Sequence, residues 1–265
     1  MKIILAEMSP WAFRSVVVPT AGILLLIMAR VSGARMLVDK NMWGVLALSA
    51  LFNITGWHVF SAYGLTILGA GEAALIAYTM PLWTSVLSVF VLGEKMSVNR
   101  IAALVLGLSG VALLVDFDMN ALGAAPLGVF FMLMAATSWG TGVVLIKRFT
   151  WGVPTVTLAG WQLVFGSIPI LIIAFAFDPN LFNPVSTNVW FALGFVIVGP
   201  LCFCVYGFLK IVSLFPASVS AIGTLMIPVV GVVSGALILD EPIGLRQVGA
   251  MVMISIALAL ALFRK

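Results

Sequence analysis

The chain has 265 residues, of which 63% are hydrophobic and only 8% are charged, and its formal net charge is +4. A soluble domain carries about 25% charged residues, so this composition excludes an ordinary globular surface and indicates lipid as the solvent. The 13 basic residues are scattered between apolar runs, which argues against a nucleic-acid partner.

Apolar runs long enough to cross a bilayer follow one another along the whole chain. A membrane-spanning helix needs roughly 20 apolar residues. The breaks between the runs are short and contain Gly, Asp, Asn and Pro, which favour turns. The sequence therefore predicts an all-α, polytopic transmembrane bundle of nine spans. These runs cover residues 9–30, 42–67, 71–92, 98–116, 125–147, 154–177, 187–210, 216–239 and 244–263.

Lysine and arginine are distributed unequally between the two sides of the predicted bundle. Cytoplasmic loops of membrane proteins carry an excess of these residues. One side has only Lys2, Arg14 and Arg246. The other side is therefore predicted to be cytoplasmic, with the C-terminus inside and residue 1 outside. Its basic residues are Arg30, Arg35, Lys40, Lys95, Arg100, Lys147, Arg148, Lys210, Arg264 and Lys265.

A pair of residues recurs at a fixed offset along the chain. Pro81 and Glu94 lie 13 residues apart in an apolar segment, and Pro228 and Glu241 repeat that spacing 147 residues later. The predicted topology puts Glu94 inside and Glu241 outside, so the two copies have opposite orientations. Inverted repeats of this kind build the substrate path of many transporters.

The offset divides the chain into a first repeat at 1–118 with four helices and a second repeat at 119–265 with five. The helix that opens the second repeat ends at Lys147, and its counterpart would lie before Met1. The sequence therefore predicts a further helix upstream of residue 1. A natural nine-helix protein is the alternative interpretation.

Several motifs at matched positions resemble the drug/metabolite transporter superfamily, in particular its ten-helix EamA-type branch. The resemblance covers nearly the whole chain. It implies two tandem five-helix repeats, a bacterial inner membrane, and transport of amino acids, related metabolites or drug-like compounds. The motifs are Ser9-Pro-Trp-Ala-Phe-Arg14, Tyr63-Gly-Leu, Ala73-Ala-Leu, Leu92-Gly-Glu-Lys95, Pro216-Ala-Ser and Leu239-Asp-Glu-Pro242, together with Pro81 and Pro228.

The repeated prolines and glutamates have different predicted roles. Pro81 and Pro228 fall near the middle of their spans, where a proline removes a backbone hydrogen bond and bends the helix. We expect them to act as a symmetric pair of hinges, although a packing kink would look the same. Glu94 and Glu241 lie at helix ends near the interface and are expected to fix the turn into the next helix.

A polar face is predicted in the second span. Asn53, Trp57 and Ser61 are spaced at i, i+4, and His58, the only histidine, borders them. Polar groups inside a bilayer face a partner or water. This face is therefore a candidate substrate contact, and an interhelical hydrogen bond is the structural alternative.

Other aromatic and polar residues also lie away from the ends of their spans. Tyr78, Trp139, Gln162 and Tyr206 are candidates for lining a solute path, with core packing as the alternative for each. Arg14 could extend towards the interface or offer its guanidinium to a carboxylate, and its position near the helix end favours the first reading.

Enzyme chemistry finds no support in the motifs. No phosphate loop, nucleotide site or metal-ligand spacing is present, so no cofactor is predicted. The Gly107-Leu-Ser-Gly110 stretch is similar to an intramembrane serine-protease motif, but no histidine follows it to activate the serine. Small residues that pack helices explain this stretch.

The sequence predicts a transporter that moves a small neutral or zwitterionic organic solute, such as an amino acid or related metabolite, by alternating access and in the direction of export. A proton-coupled multidrug efflux pump is the nearest alternative, and a channel or scramblase is the next. No carboxylate lies at the centre of a predicted span, which disfavours the multidrug pump. The bilayer and a small-molecule substrate are the predicted partners, and the sequence leaves monomer and homodimer open.

Overall fold

The computed structural model describes residues 2–114, 125–179, 181, 184–239 and 244–262, and every regular element in these ranges is helical. Two π-helical segments, π1 (Leu51–Gly56) and π2 (Ile197–Cys204), lie between α-helices that run directly into them. The α-helices are α1 Lys2–Leu5, α2 Pro10–Val31, α3 Trp43–Ala50, α4 Trp57–Ile67, α5 Ala70–Ala77, α6 Met80–Leu92, α7 Val98–Leu114, α8 Pro126–Arg148, α9 Thr155–Phe177, α10 Thr187–Val196, α11 Val205–Leu214, α12 Ala217–Gly223, α13 Met226–Leu239 and α14 Leu245–Leu262.

Eight helical stretches in the described residues are long and apolar enough to cross a membrane. A further apolar helix, α7, has 17 residues. At 1.5 Å per residue it is about 26 Å long, slightly less than the hydrocarbon core of a typical bilayer. The predicted all-α polytopic bundle is confirmed, and the nine predicted runs correspond to these eight spans and α7.

Helix α2 shows how local sequence sets a helix boundary. The Ser9 hydroxyl accepts a hydrogen bond from the backbone N–H of Ala12 at 2.9 Å, which caps the first turn. Pro10 follows at the first helical position, where its missing N–H costs little. Arg30 lies in the last turn, where its positive charge interacts favourably with the carbonyl end of the helix.

The described helices group into two compact units. Unit 1 comprises Met1–Val59 and Leu145–Leu214, and unit 2 comprises Phe60–Val144 and Phe215–Lys265. Each unit therefore draws helices from both of the sequence repeats. The repeats are interleaved in the fold, and neither compact unit corresponds to one of them.

Unit 1 is centred on the close packing of α2 against α9. A methyl group added at Gly22 would lie 2.9 Å from the backbone nitrogen of Val164, and one added at Gly160 would lie 2.8 Å from the Leu26 side chain. As the contacts advance along α2 they move back along α9, so the two helices are antiparallel. Shifted by 147 residues, α2 coincides closely with α9, so this pair joins equivalent helices of the two repeats.

Unit 2 contains a second pair of the same kind, formed by α7 and α14. A methyl group added at Gly107 would lie 3.3 Å from Ala257 Cβ, and one added at Gly110 would lie 2.8 Å from Ile254 Cγ1. These contacts also run in opposite directions along the two helices, and α7 shifted by 147 residues begins at the same residue as α14. Both units thus pair equivalent helices antiparallel, which is the geometry of an inverted repeat.

The two π segments are also equivalent under the repeat and lie in unit 1. π1 packs on α9 and π2 packs on α2, so each contacts the central helix of the other repeat. The Thr55 hydroxyl donates to the carbonyl of Gly166 at 2.7 Å, and the Cys202 thiol contacts the carbonyl of Ala21 at 3.6 Å. Thr55 and Cys202 are themselves 147 residues apart, whereas the equivalent of Ala21 would be residue 168, two positions from Gly166, so the offset relates the donors closely and the acceptors approximately.

Outside the spans, Glu7 ties the start of the chain to the beginning of α10. Its carboxylate accepts hydrogen bonds from the backbone N–H of Ser186 at 2.7 Å and from the Ser186 hydroxyl at 2.8 Å. These two donors, the backbone N–H first, lower the pKa of Glu7 below its ordinary value of 4.5 because they favour the ionised carboxylate.

This contact predicts a pH-dependent difference between the wild type and Glu7→Gln. A lowered carboxyl pKa stabilises the folded state fully above pH 4.5, and the contribution is lost as the pH falls through the folded-state pKa. We expect wild type to melt at a higher temperature than Glu7→Gln at neutral pH, with the difference vanishing in acid. Thermal melting in detergent from pH 7 to pH 3 measures it, and a difference independent of pH would contradict the assignment.

Candidate functional site

Buried polar side chains in unit 1 line the contact between π1 and α9. Gln162 is fully buried, and its Nε2 donates to the Ser49 hydroxyl at 2.6 Å. One turn after Ser49, Asn53 is 6% exposed. Thr55 follows with its bond to the Gly166 carbonyl. Sequence analysis singled out Asn53 and Gln162, and the structure brings their backbones onto neighbouring elements of one unit.

Two amide atoms of this group have no hydrogen-bond partner. They are the Asn53 Nδ2 donor and the Gln162 Oε1 acceptor, both buried. A buried polar atom without a partner costs about 1–3 kcal/mol, so native structures usually retain one only where water, an ion or a ligand completes it. One of these atoms is a donor and the other an acceptor.

The π turn changes the polar face that the sequence predicted. A π-helix pairs residues five apart, so i, i+4 spacing does not hold across Leu51–Gly56. Both Trp57 and His58 are half-buried just after the π turn.

Arg14 is buried in unit 1, with 7% of its surface exposed. Its Nη1 donates to the carbonyl of Pro10 at 3.1 Å, so the side chain extends towards the N-terminal end of α2. The direction agrees with the expected snorkelling, but the side chain ends inside the protein and not in solvent. It lies close enough to His58 for an electrostatic interaction between the two side chains.

The remaining aromatic candidates are dispersed. In unit 1, Tyr206 is 38% exposed on α11. In unit 2, Tyr78 packs against a hydrophobic cluster built on α7, α14 and the α12–α13 region, and Trp139 is half-buried on α8. Tyr78 is therefore used at least partly for packing, while a role in solute contact stays a prediction for all three.

Each of the two repeated prolines follows a short break in its span. Pro81 is the second residue of α6, after a turn at residues 78–79, and Pro228 is the third residue of α13, after a turn at 224–225. In both turns a threonine, Thr79 or Thr224, donates its backbone N–H and its hydroxyl to the carbonyl three residues back. The prolines thus occupy the first turn of a second helix and not the middle of one bent helix, and their hinge role stays a prediction.

Glu94 joins the end of α6 to the start of α12 within unit 2. Its carboxylate accepts from the backbone N–H of Ala217 at 2.7 Å and from the Ser218 hydroxyl at 2.5 Å. Arg100 lies 3.8 Å away as an ion pair. The carboxylate therefore caps one helix from the end of another. Its predicted equivalent, Glu241, lies outside the described residues.

Unit 1 also contains a cavity of about 300 Å³ at the junction of α8, α9 and α11. Lys147 lines it and donates to the carbonyls of Val212 and Ser213 at 2.9 and 3.3 Å. These carbonyls belong to the end of α11, where a cation is favoured. Lys147 therefore stabilises a helix terminus, and the cavity lies at the helix ends, away from Asn53.

Sequence analysis missed Ser49, Thr55 and Cys202. Hydroxyl and thiol groups in apolar runs are common, so none stood out alone. The 147-residue offset relates Thr55 to Cys202 and would have paired them had polar residues been compared position by position. Among the described residues no group of three or more His, Cys, Asp or Glu side chains could hold a metal.

Comparisons with known proteins agree with this architecture. The model of the EamA-like transporter family matches residues 1–116 and 126–263. The uncharacterized transporter YvbV of Bacillus subtilis (strain 168) is 31% identical over 266 residues, covering 98% of this chain and 84% of the relative. The aromatic amino acid exporter YddG of Ancylobacter novellus is 28% identical over 218 residues, covering 77% and 74%. A solved crystal structure aligns with a TM-score of 0.80 at 20% identity, over 96% of this chain and 88% of that one.

Proposed function

This chain belongs to the EamA-like transporter family and is a multi-pass membrane transporter, and we propose that it exports a small neutral or zwitterionic organic solute, such as an amino acid or related metabolite. The observation that carries the proposal is the chemistry of the buried polar groups in unit 1. They are hydroxyls, two amides with open hydrogen-bonding atoms, and one arginine. No carboxylate is among the buried side chains of the described residues.

The charge of these groups argues for the solute class. A dication would need a buried acid to offset the cost of leaving water. A polyanion would need several buried cations, whereas Arg14 is the one buried cation among the described residues. A solute with no net charge needs only the hydrogen bonds that amides and hydroxyls supply. The relative named as an aromatic amino acid exporter is consistent with such a solute.

Alternating access is the proposed mechanism, with the compact units as its moving bodies. Each unit contains one antiparallel pair of equivalent helices, α2 with α9 and α7 with α14. Rocking one sequence repeat against the other would separate both pairs. The breaks before Pro81 and Pro228 lie within unit 2 and offer bending points there. The basic loops favour a cytoplasmic C-terminus, and the similarity to bacterial transporters favours a bacterial inner-membrane location.

Counterflow in proteoliposomes tests the solute class. Vesicles are preloaded with an unlabelled neutral amino acid, and exchange of its labelled form is measured against neutral, dicationic and dianionic competitors. We expect neutral zwitterions to compete and multiply charged compounds not to compete. Strong preference for a dicationic drug would contradict the proposal and favour the multidrug pump.

A further inference from the structure

Arg14 is the one charged side chain that is buried in the part of the chain that the structure describes. Its Nη1 donates to the Pro10 carbonyl, and its Nε–H has no hydrogen-bond partner. The two ion pairs among the described residues are Arg35 with Asp39 and Arg100 with Glu94, and neither includes Arg14. A buried guanidinium therefore remains without a counter-charge.

Acidic residues from neighbouring segments are already engaged elsewhere. Glu7 accepts both hydrogen bonds from Ser186, and Asp178 accepts from the Ser9 hydroxyl. Removing a charge from water without a partner is costly, and inside a bilayer an ionisable side chain usually marks a functional path. Because arginine stays protonated in proteins, it cannot lower that cost by losing a proton.

The free edge of Arg14 has the shape of a carboxylate site. A guanidinium binds a carboxylate through two parallel N–H groups, and the unpartnered Nε–H lies on one such edge. His58, within electrostatic reach of the guanidinium, is half-buried, and Asn53 precedes it by one π turn with an unpartnered amide N–H. These side chains belong to one unit and lie on α2, π1 and the start of α4.

We propose that Arg14 binds the carboxylate of the transported solute and so makes this protein selective for compounds with a free carboxyl group over their amides, esters and amines. This inference rests on the proposed function and narrows its substrate class. The structural alternative is that Arg14 only braces the first turn of α2 through Pro10. A brace would affect folding but would not distinguish an acid from its amide.

The test compares phenylalanine, phenylalaninamide and 3-phenylpropionate as competitors of labelled phenylalanine counterflow. For wild type we expect phenylalanine to compete about tenfold or more better than phenylalaninamide. The reason is that a hydrogen bond to a charged group contributes about 1.5–3 kcal/mol. Phenylpropionate keeps the carboxylate and should compete better than the amide. In Arg14→Gln, phenylalanine and phenylalaninamide should compete equally. Arg14→Lys should retain part of the preference for phenylalanine over its amide.

Arg30→Gln is the matched control, since it removes the same charge from an exposed position on the same helix. It should keep the wild-type preference. If Arg14→Gln does not fold, the wild-type ranking and Arg14→Lys decide the question. Equal competition by acid and amide in wild type, or an unchanged preference in Arg14→Gln, would overturn the Arg14 assignment alone. Failure of wild type to exchange any neutral or zwitterionic solute would overturn the proposed function together with it.

Discussion

Replacing Gly166 with leucine is expected to give the largest loss of stability among single substitutions in unit 1. A Cβ at this position would overlap the Cβ of Ile54 and lie 2.7 Å from its Cγ2. The Ile54 Cβ is fixed to the backbone of π1 and cannot rotate away, so π1 would have to leave α9. Overpacking of a core typically costs about 1–3 kcal/mol and occasionally more.

The same displacement would break the hydrogen bond from Thr55 to the Gly166 carbonyl, since both depend on the close approach of π1 to α9. Loss of that bond adds about 1 kcal/mol. We therefore expect Gly166→Leu to yield little monodisperse protein on size-exclusion chromatography in detergent. Gly166→Ala should fold with a clearly lowered melting temperature.

Gly199 supplies the matched control, because it lies in π2 and a Cβ there would meet nothing within 4 Å. Gly199→Leu and Gly199→Ala should be purified in wild-type yield and melt close to wild type. Equal tolerance of leucine at both glycines would show that π1 does not pack against α9 as described.

Glu94→Gln is expected to destabilise unit 2 and to lower transport. The glutamine amide keeps one acceptor oxygen, whereas the carboxylate uses both, for the Ala217 N–H and the Ser218 hydroxyl. The uncharged glutamine also cannot form the ion pair that Glu94 makes with Arg100. Hydrogen bonds to charged groups contribute about 1.5–3 kcal/mol each, and Glu94 is only 13% exposed. We expect a loss of about 2 kcal/mol in the free energy of unfolding.

Lys95→Gln is the control for Glu94, since it changes the charge of the neighbouring exposed side chain and leaves the cap intact. Ser218→Ala should give an intermediate loss, because it removes one of the donors to the carboxylate. Thermal melting in one detergent compares the four proteins. A melting temperature for Glu94→Gln equal to that of Lys95→Gln would mean that the cap contributes nothing measurable.

Much of the fold was predictable because the hydropathy of each run and the repeat spacing can both be read directly from the sequence. The length of each apolar run sets a span, and the 147-residue offset with opposite basic loops predicts two inverted copies. The antiparallel pairs α2 with α9 and α7 with α14 join helices related by that offset. The sequence did not indicate that these pairs fall in different compact units, because contact between helices depends on side-chain shape across the whole fold.

The candidate site was predictable only in part. Asn53, His58 and Gln162 stood out as polar residues within apolar runs, and the structure places all three in unit 1. The π turn at Leu51–Gly56 has no proline and no local sequence signal, so the register between Asn53 and Trp57 was read with α-helical spacing. The burial of Arg14 was missed because it depends on neighbouring elements that sequence position does not reveal.

The measurement that tests the central claim most directly is the time course of counterflow into proteoliposomes. Vesicles are loaded with a millimolar neutral amino acid and diluted into a trace of the labelled form. A carrier with alternating access exchanges the two, so the label accumulates transiently above its external concentration and the initial rate saturates with substrate. We predict this overshoot in vesicles that contain the protein, and no overshoot in vesicles prepared without it. Label that only equilibrates, at a rate linear in concentration, would indicate a channel and contradict the account.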